Sequence, residues 1–415
     1  MGLNWFASKN SRLAADMCKH VRKILNAQRD ILSPQAIKAV EAALSETKTA
    51  LAENANDELI QKQINKLETA ANAWLKPYPN SGIRENVEVV LVALAVAMGI
   101  RTFFFQPFKI PTGSMQPTLF GATWVNLKEK PGEKPPGIIG RIYEGCAHGT
   151  FYHYQKAEED GRLVAIGPPE HFLKFINTVS IVMQYPSGKK KYTFWMTPED
   201  SLPSNGLTGR SGLNYAAIEN GQTFHKGDDI VNFKDVVGDH LFVDRISFNF
   251  RRPQRGEIIV FETRGVGNAI YSLPPDQFYI KRMVAMGNEK VQIGNDRHLI
   301  IDGKRLDQST PHFENVYSFD PKVAPAENTT PESPWCGHLN QAVADKFGLY
   351  PSLAPLFPDA EASQVVRPDY YMVMGDNTAN SLDSRKWGDF SRTNVIGKYF
   401  FVYWPFTPRF GCSLR

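Results

Sequence analysis

The chain is poor in cysteine: four in 415 residues (Cys18, Cys146, Cys336, Cys412), scattered and without a CxxC pair, so no disulfide framework is encoded and the redox compartment stays open. Cys146 with His148 and Cys336 with His338 could meet at a metal. Nothing else clusters near them, however, and zinc ligand pairs usually stand two to four residues apart, so neither metal nor cofactor is expected. Charge of one sign is also lacking. A net +4 with no basic stripe excludes a polyanion as the obvious partner, and no nucleic acid is expected. The dense basic runs are residues 189–191 and Arg251, Arg252 and Arg255. The first follows Pro186, Ser187 and Gly188 between two apolar runs, the pattern of a solvated hairpin tip. Residues 1–26 carry Lys, Arg and Asp throughout and have no apolar core of the kind that marks a cleavable leader.

What the chain does have is an apolar content of 42%, enough for a packed core, and the length of two or three domains. Helical spacing recurs near the start: Leu13, Met17, Val21, Ile24; then Ile37, Val40, Leu44, Leu51; then Ile60, Ile64, Leu67, Ala71, Trp74. Ser33 and Pro34 supply an N-cap and a first-turn proline for the second helix. Pro77, Pro79 and Gly82 end the last. Residues 1–80 therefore read as an α-helical N-terminal region.

Long apolar runs are absent with one exception. Residues 89–100 are uninterrupted, twelve in all, which rise only ~18 Å against a hydrocarbon core of ~30 Å. Glu88 and Arg101 near the ends can snorkel, and Trp74 and Tyr78 stand at one margin, so residues 87–108 are read as a single transmembrane anchor in a lipid bilayer. Lys76 and Arg84 before it favour a cytoplasmic N-terminus.

After the anchor, short apolar and aromatic runs bounded by Gly and Pro take over: 179–185, 191–196, 240–248, 257–262, 278–286, 298–301, 370–374 and 398–404. Such a series predicts a mainly β, antiparallel region. Asp302 and Gly303 form the two-residue turn of a hairpin spanning residues 298–306.

Residues 109–119, KIPTGSMQPTL, hold Ser114 between a glycine and a methionine, with Pro111 and Pro117 stiffening the chain. Taken alone, Ser114 is a candidate nucleophile or ordinary turn polarity. Three downstream stretches bear on the choice: GDHLFVDRISFNFRRPQRGEIIVF at 238–261, FYIKRMVAMGNEKV at 278–291, and YMVMGDNTANSLDSRKWGDFSRTNVIGKYFFVYWP at 371–405. Together and in this order they resemble the boxes of the bacterial type I signal peptidase (leader peptidase) family.

The resemblance implies a membrane-anchored antiparallel β fold with a Ser-Lys dyad, cutting signal peptides of exported preproteins after small residues (Ala-x-Ala) on the outer face of the membrane. It makes Ser114 the nucleophile and Lys281 the general base. About one lysine in 2,000 is neutral at pH 7, so the site must lower that pKa by ~3 units. Phe278, Tyr279, Ile280, Met283 and Val284 offer the apolar company. By the same resemblance Ser381 orients Lys281, Asp383 and Arg385 support it as a pair, and Thr112 lends a hydroxyl to the oxyanion hole beside the Ser114 N–H. The catalytic domain would then comprise residues 109–121 and 238–415.

Two departures stand out. Thr378 and Ala379 replace the arginine and aspartate of the family's G-D-N-R-D-N-S, so a local ion network is expected to be lost. Residues 122–237 separate the serine box from the next box and read as an inserted accessory β domain, with a smaller expansion at about 307–366. The partners of the N-terminal helices and the insertion stay open. Two other classes fit part of the pattern: a self-cleaving Ser-Lys repressor of the LexA type, and a membrane-anchored binding protein that has kept the fold without activity.

Overall fold

The computed structural model describes residues 9–53, 55–76, 81–130, 135–167, 170–172, 176–196, 218–325 and 336–412; Pro77, Tyr78 and Pro79, read above as helix end and membrane margin, lie outside them. The chain divides into two compact units, Met1–Ala95 and Val96–Arg415.

The first unit is three helices, α1 (Lys9–Gln28), α2 (Pro34–Ala52) and α3 (Asp57–Trp74). Ser33 Oγ accepts from the Ala36 N–H and Asn56 Oδ1 from the Leu59 N–H, so α2 and α3 each begin on a side-chain cap. Cys18, Val21, Leu25, Val40, Leu44 and Leu67 form the shared core. In α1 the buried stripe runs through Ala14, Cys18, Val21 and Leu25, one position round from the expected one, and Leu13 is 54% exposed.

Helix α4 (Ser81–Phe103) crosses the boundary between the units. Its stretch Glu85–Phe103 has 19 residues with a mean hydropathy of 1.7 and none of it buried, rising ~28 Å. Val89, Leu91, Val92, Leu94, Val96 and Met98 are all more than half exposed, a helix apolar on every side that none of the described residues covers. The segment read as an anchor to Phe108 is corrected here. The helix stops at Phe103, and Phe105–Lys109 is an edge strand paired with His240–Asp244. Pro107 is tolerated there because an edge strand can lack one donor.

The second unit is mainly antiparallel β. An eight-stranded sheet runs in the order Phe105–Lys109, His240–Asp244, Val395–Trp404, Ile258–Glu262, Phe278–Met286, Tyr370–Met374, Phe390–Ser391, with Gly411–Cys412 beside Val395–Trp404. The run expected as one strand over 240–248 breaks at Asp244, whose Oδ1 accepts the N–H groups of Ile246 and Ser247 and starts the short helix Ser247–Phe250. A four-stranded sheet carries the expected hairpin. Ile301 faces Lys304, and Asp302 and Gly303 both take positive φ, 49° and 80°, as such a turn requires.

Residues 122–237 supply a three-stranded and a five-stranded sheet. Their core, which includes Leu163, Ile181, Met183, Phe224, Val231 and Phe233, draws only on this stretch. The expansion after Asp307 packs elsewhere: Phe313, Val316, Tyr317 and Phe357 share a core with Val284, Ala285, Met372 and Met374 of the large sheet.

Candidate active site

The serine loop is held from below. Met115 and Leu119 are fully buried and pack with Ile110, Leu241, Val243 and Val402, which fixes the single helical turn Gly113–Met115. From the other side the turn after Tyr370–Met374 closes on it. The Asn377 N–H donates to the Ser114 carbonyl and Asn377 Nδ2 to the Gly113 carbonyl, each at 3.1 Å. The approach is so tight that a Cβ on Gly375 would overlap the Ser114 carbonyl and Ser381 Oγ.

Lys281 sits in the strand Phe278–Met286 opposite Ile259. Its Nζ donates to Ser114 Oγ at 2.7 Å and to the Ile280 carbonyl at 3.1 Å, and both Ser114 and Lys281 are 5% exposed. Burial lowers the lysine pKa from 10.5 to about 8, against the pull of Asp383 and Asp376 and with some help from Arg385. At pH 7 about one amine in ten is then neutral.

Two buried ion pairs flank the amine. Arg385 grips Asp383 through Nε at 2.8 Å and Nη2 at 3.0 Å, and the Gly375 N–H donates to the same carboxylate. Burial pushes the Asp383 pKa up, but Arg385, together with the Ser381 hydroxyl and the Gly375 N–H, more than offsets that, so it stays below the usual carboxylate value. Arg282 grips Asp376 in the same two-pronged way, at 2.7 and 2.6 Å, and Thr118 Oγ1 donates to Asp376 as well. The role of Arg282 and Thr118 was not read from the sequence. The signal was there: a Lys-Arg pair inside an apolar strand requires a buried acid for the arginine.

Two expectations are modified. Ser381 is buried at the site beside Gly375 and Asp383, and its hydroxyl helps to hold the Asp383 pKa down. The Lys281 amine is turned instead to Ser114 and the Ile280 carbonyl, so the expected Ser381 bond to Lys281 is not made. The turn that lost its ion network is filled by packing. Ala379 is fully buried among Cys336, Leu339, Val343, Ala344 and Leu353 of the expansion, and Thr378 Oγ1 donates to the Gly337 carbonyl at 2.5 Å. Thr112 is exposed and extended two residues before Ser114, and its hydroxyl does not cap the turn that follows.

The Cys-x-His pairs do not come together with further ligands among the described residues. His148 bonds Glu144, His338 bonds the Tyr317 hydroxyl, and all four cysteines are unpaired.

The family described as signal peptidase, peptidase S26, matches residues 83–179 and 233–404, roughly two thirds of the chain. The unmatched residues between these segments fall inside the long stretch that separates the serine box from the next. A signal peptidase I of Leptolyngbya laminosa is 28% identical over 170 residues, covering 41% of this chain and 62% of the relative. A probable signal peptidase I-2 of Synechocystis sp. is 25% identical over 175 residues, with 42% and 59% covered. A signal peptidase I of Aquifex aeolicus is 30% identical over 193 residues, with 41% and 70% covered. The chain thus spans about three fifths of the length of the first two relatives. With the helix, the serine loop and the lysine strand all inside the matched segments, the chain belongs to the signal peptidase S26 family.

Proposed function

We propose that this chain is a membrane-anchored serine endopeptidase that removes signal peptides from exported preproteins, cutting after small residues of the Ala-x-Ala type. The observation that carries the reading is the 2.7 Å hydrogen bond from Lys281 Nζ to Ser114 Oγ in a buried site, in a chain of this family. Ser114 Oγ attacks the scissile carbonyl while neutral Lys281 takes its proton. The amine of the mature protein leaves with that proton, and water, deprotonated by Lys281, releases the signal peptide from the acyl-enzyme. The Ser114 N–H and the Thr112 hydroxyl receive the oxyanion. Asp383 and Arg385 hold the lysine's surroundings, with Ser381 against them.

Helix α4 is the single span. The N-terminus is cytoplasmic and the protease lies on the extracytoplasmic face. Residues 109–121 and 238–415 form the catalytic domain, and 122–237 an accessory β domain.

The test is purified full chain in detergent or lipid, given a preprotein with Ala-x-Ala before its cleavage site. Cleavage at that site, abolished in Ser114→Ala and in Lys281→Ala while both variants stay folded, is the expected result. Binding without cleavage by the unmodified chain overturns the enzyme reading in favour of a binding protein of the same fold, and cleavage by Lys281→Met overturns the dyad.

A further inference from the structure

The expansion at 307–366 does more than cover the sheet: it reaches the pair of charges beside the catalytic amine. The Arg385 guanidinium, beyond its two bonds to Asp383, donates through Nη1 to the Leu339 carbonyl at 3.2 Å and through Nη2 to the Thr378 carbonyl at 2.7 Å. Thr378 is itself tied to the expansion, through Oγ1 to the Gly337 carbonyl and against Cys336 Sγ at 3.8 Å. On the far side the Leu356 N–H donates to the Arg385 carbonyl at 3.1 Å. Thr378, Ala379 and Arg385 are all fully buried. Apart from the Arg385–Thr378 bond, which lies inside the turn, these contacts join the turn that carries Asp383 and Arg385 to residues 336–356.

We propose that residues 336–356 are a built-in positioning element for the Lys281 base, acting through Thr378 and Arg385, with Thr378 the positioning residue. This rests on the reading of Ser114 and Lys281 as a dyad. Arg385 opposes the charged form of Lys281 while Asp383 and Asp376 favour it, so their balance depends on where the guanidinium is fixed. Thr378 holds that fix from the turn, and Leu339 and Leu356 hold it from the expansion. Loosening the dock admits water and lets Arg385 drift, and both changes favour the charged amine.

The experiment reads the base without needing a preprotein. Full-length protein in detergent is treated with p-nitrophenyl acetate, and acetylation of Ser114 is followed by intact mass from pH 6 to 10, with Ser114→Ala as blank. Ser114 Oγ gains the acetyl group, p-nitrophenolate leaves, and Lys281 takes the hydroxyl proton. In Thr378→Val, which keeps the shape and loses the donor, the inflection of rate against pH moves up by about half to one unit. Thr378→Ser, which keeps the donor, tracks the unmodified protein. Leu353→Ala loosens the same dock from the expansion side, moves the inflection the same way, and carries the test if Thr378→Val does not fold. An unmoved inflection in folded Thr378→Val overturns the proposal, even if the rate falls uniformly, because that is what a merely structural threonine would give. If Ser114 is never acetylated in the unmodified protein, the dyad falls and the positioning role with it. If it is acetylated but preprotein is not cut, only the substrate reading falls.

Discussion

Lys281 Nζ donates to Ser114 Oγ across 2.7 Å although 167 positions separate the two residues. The contact is made by a strand deep in the large sheet and a loop that leaves its edge. Neither is free to adjust, because Met115 and Leu119 root the loop and Lys281 lies in a strand paired residue by residue with Ile258–Glu262. The arrangement pre-forms the encounter that general-base catalysis needs.

The pH dependence follows from the direction of the Lys281 shift. Burial brings its pKa to about 8, and only the neutral amine accepts the serine proton. The rate of preprotein cleavage at low substrate therefore rises about tenfold per pH unit below that value and levels off above it. A rate that is flat from pH 6 to 9, or that falls with pH over this range, contradicts a lysine base.

Arg282 and Asp376 are buried at 2% and 0% side-chain exposure and bonded by both prongs. Arg282 Nη1 also donates to the Gly256 carbonyl at 2.7 Å. Arg282→Met leaves a carboxylate uncompensated in the interior and is expected to cost about 3–5 kcal/mol, read as a fall in the denaturant midpoint. The double variant Arg282→Met, Asp376→Leu removes both charges and should recover much of that loss. If the double variant is less stable than Arg282→Met alone, the pair is not what the single change disrupts.

Membrane attachment is expected to rest on the exposed apolar helix. Leu94 and Met98, 54% and 66% exposed, lie in the middle and later part of Glu85–Phe103. Arginine near the centre of a span costs about 2.5–3.5 kcal/mol. The full chain should stay in the membrane pellet through alkaline carbonate washing, and Leu94→Arg with Met98→Arg together should move it to the supernatant. Full retention of the double variant in the pellet would show that something other than this helix holds it.

Much of the fold was legible because its signals are local. The caps at Ser33 and the Asp302-Gly303 turn are set by neighbouring residues, and the strand Phe278–Met286 by apolar residues on both sides of its Lys-Arg pair. The phase of α1 was not, because Ala14 and Cys18, small residues with a weak apolar signal, take the buried stripe while Leu13 stays exposed. Nor was the end of α4, where aromatic residues recur as far as Phe108 although sheet pairing takes over at Phe105. In the site, Ser114 and Lys281 were named from the motifs that surround them. The dock of residues 336–356 on Thr378 was not, because it is made largely through carbonyl groups, Gly337 and Leu339, which no side-chain pattern records.

Lys281 should also weaken the fold at neutral pH. Its folded-state pKa lies below the 10.5 of the unfolded chain, so between about 8 and 10.5 the unfolded state binds more protons than the folded one, and stability rises with pH across that window. Below it the whole cost of burying a charged amine is present, about 3 kcal/mol by the size of the shift. Lys281→Met fills the same space without the charge. It is therefore expected to melt higher than the unmodified chain at pH 7, with the difference shrinking as pH rises toward 10.5, while cleavage is abolished. Melting curves of the two proteins from pH 6 to 10 decide it. A methionine variant that is no more stable at pH 7, or whose advantage grows with pH, would mean that the amine is better solvated than its burial implies.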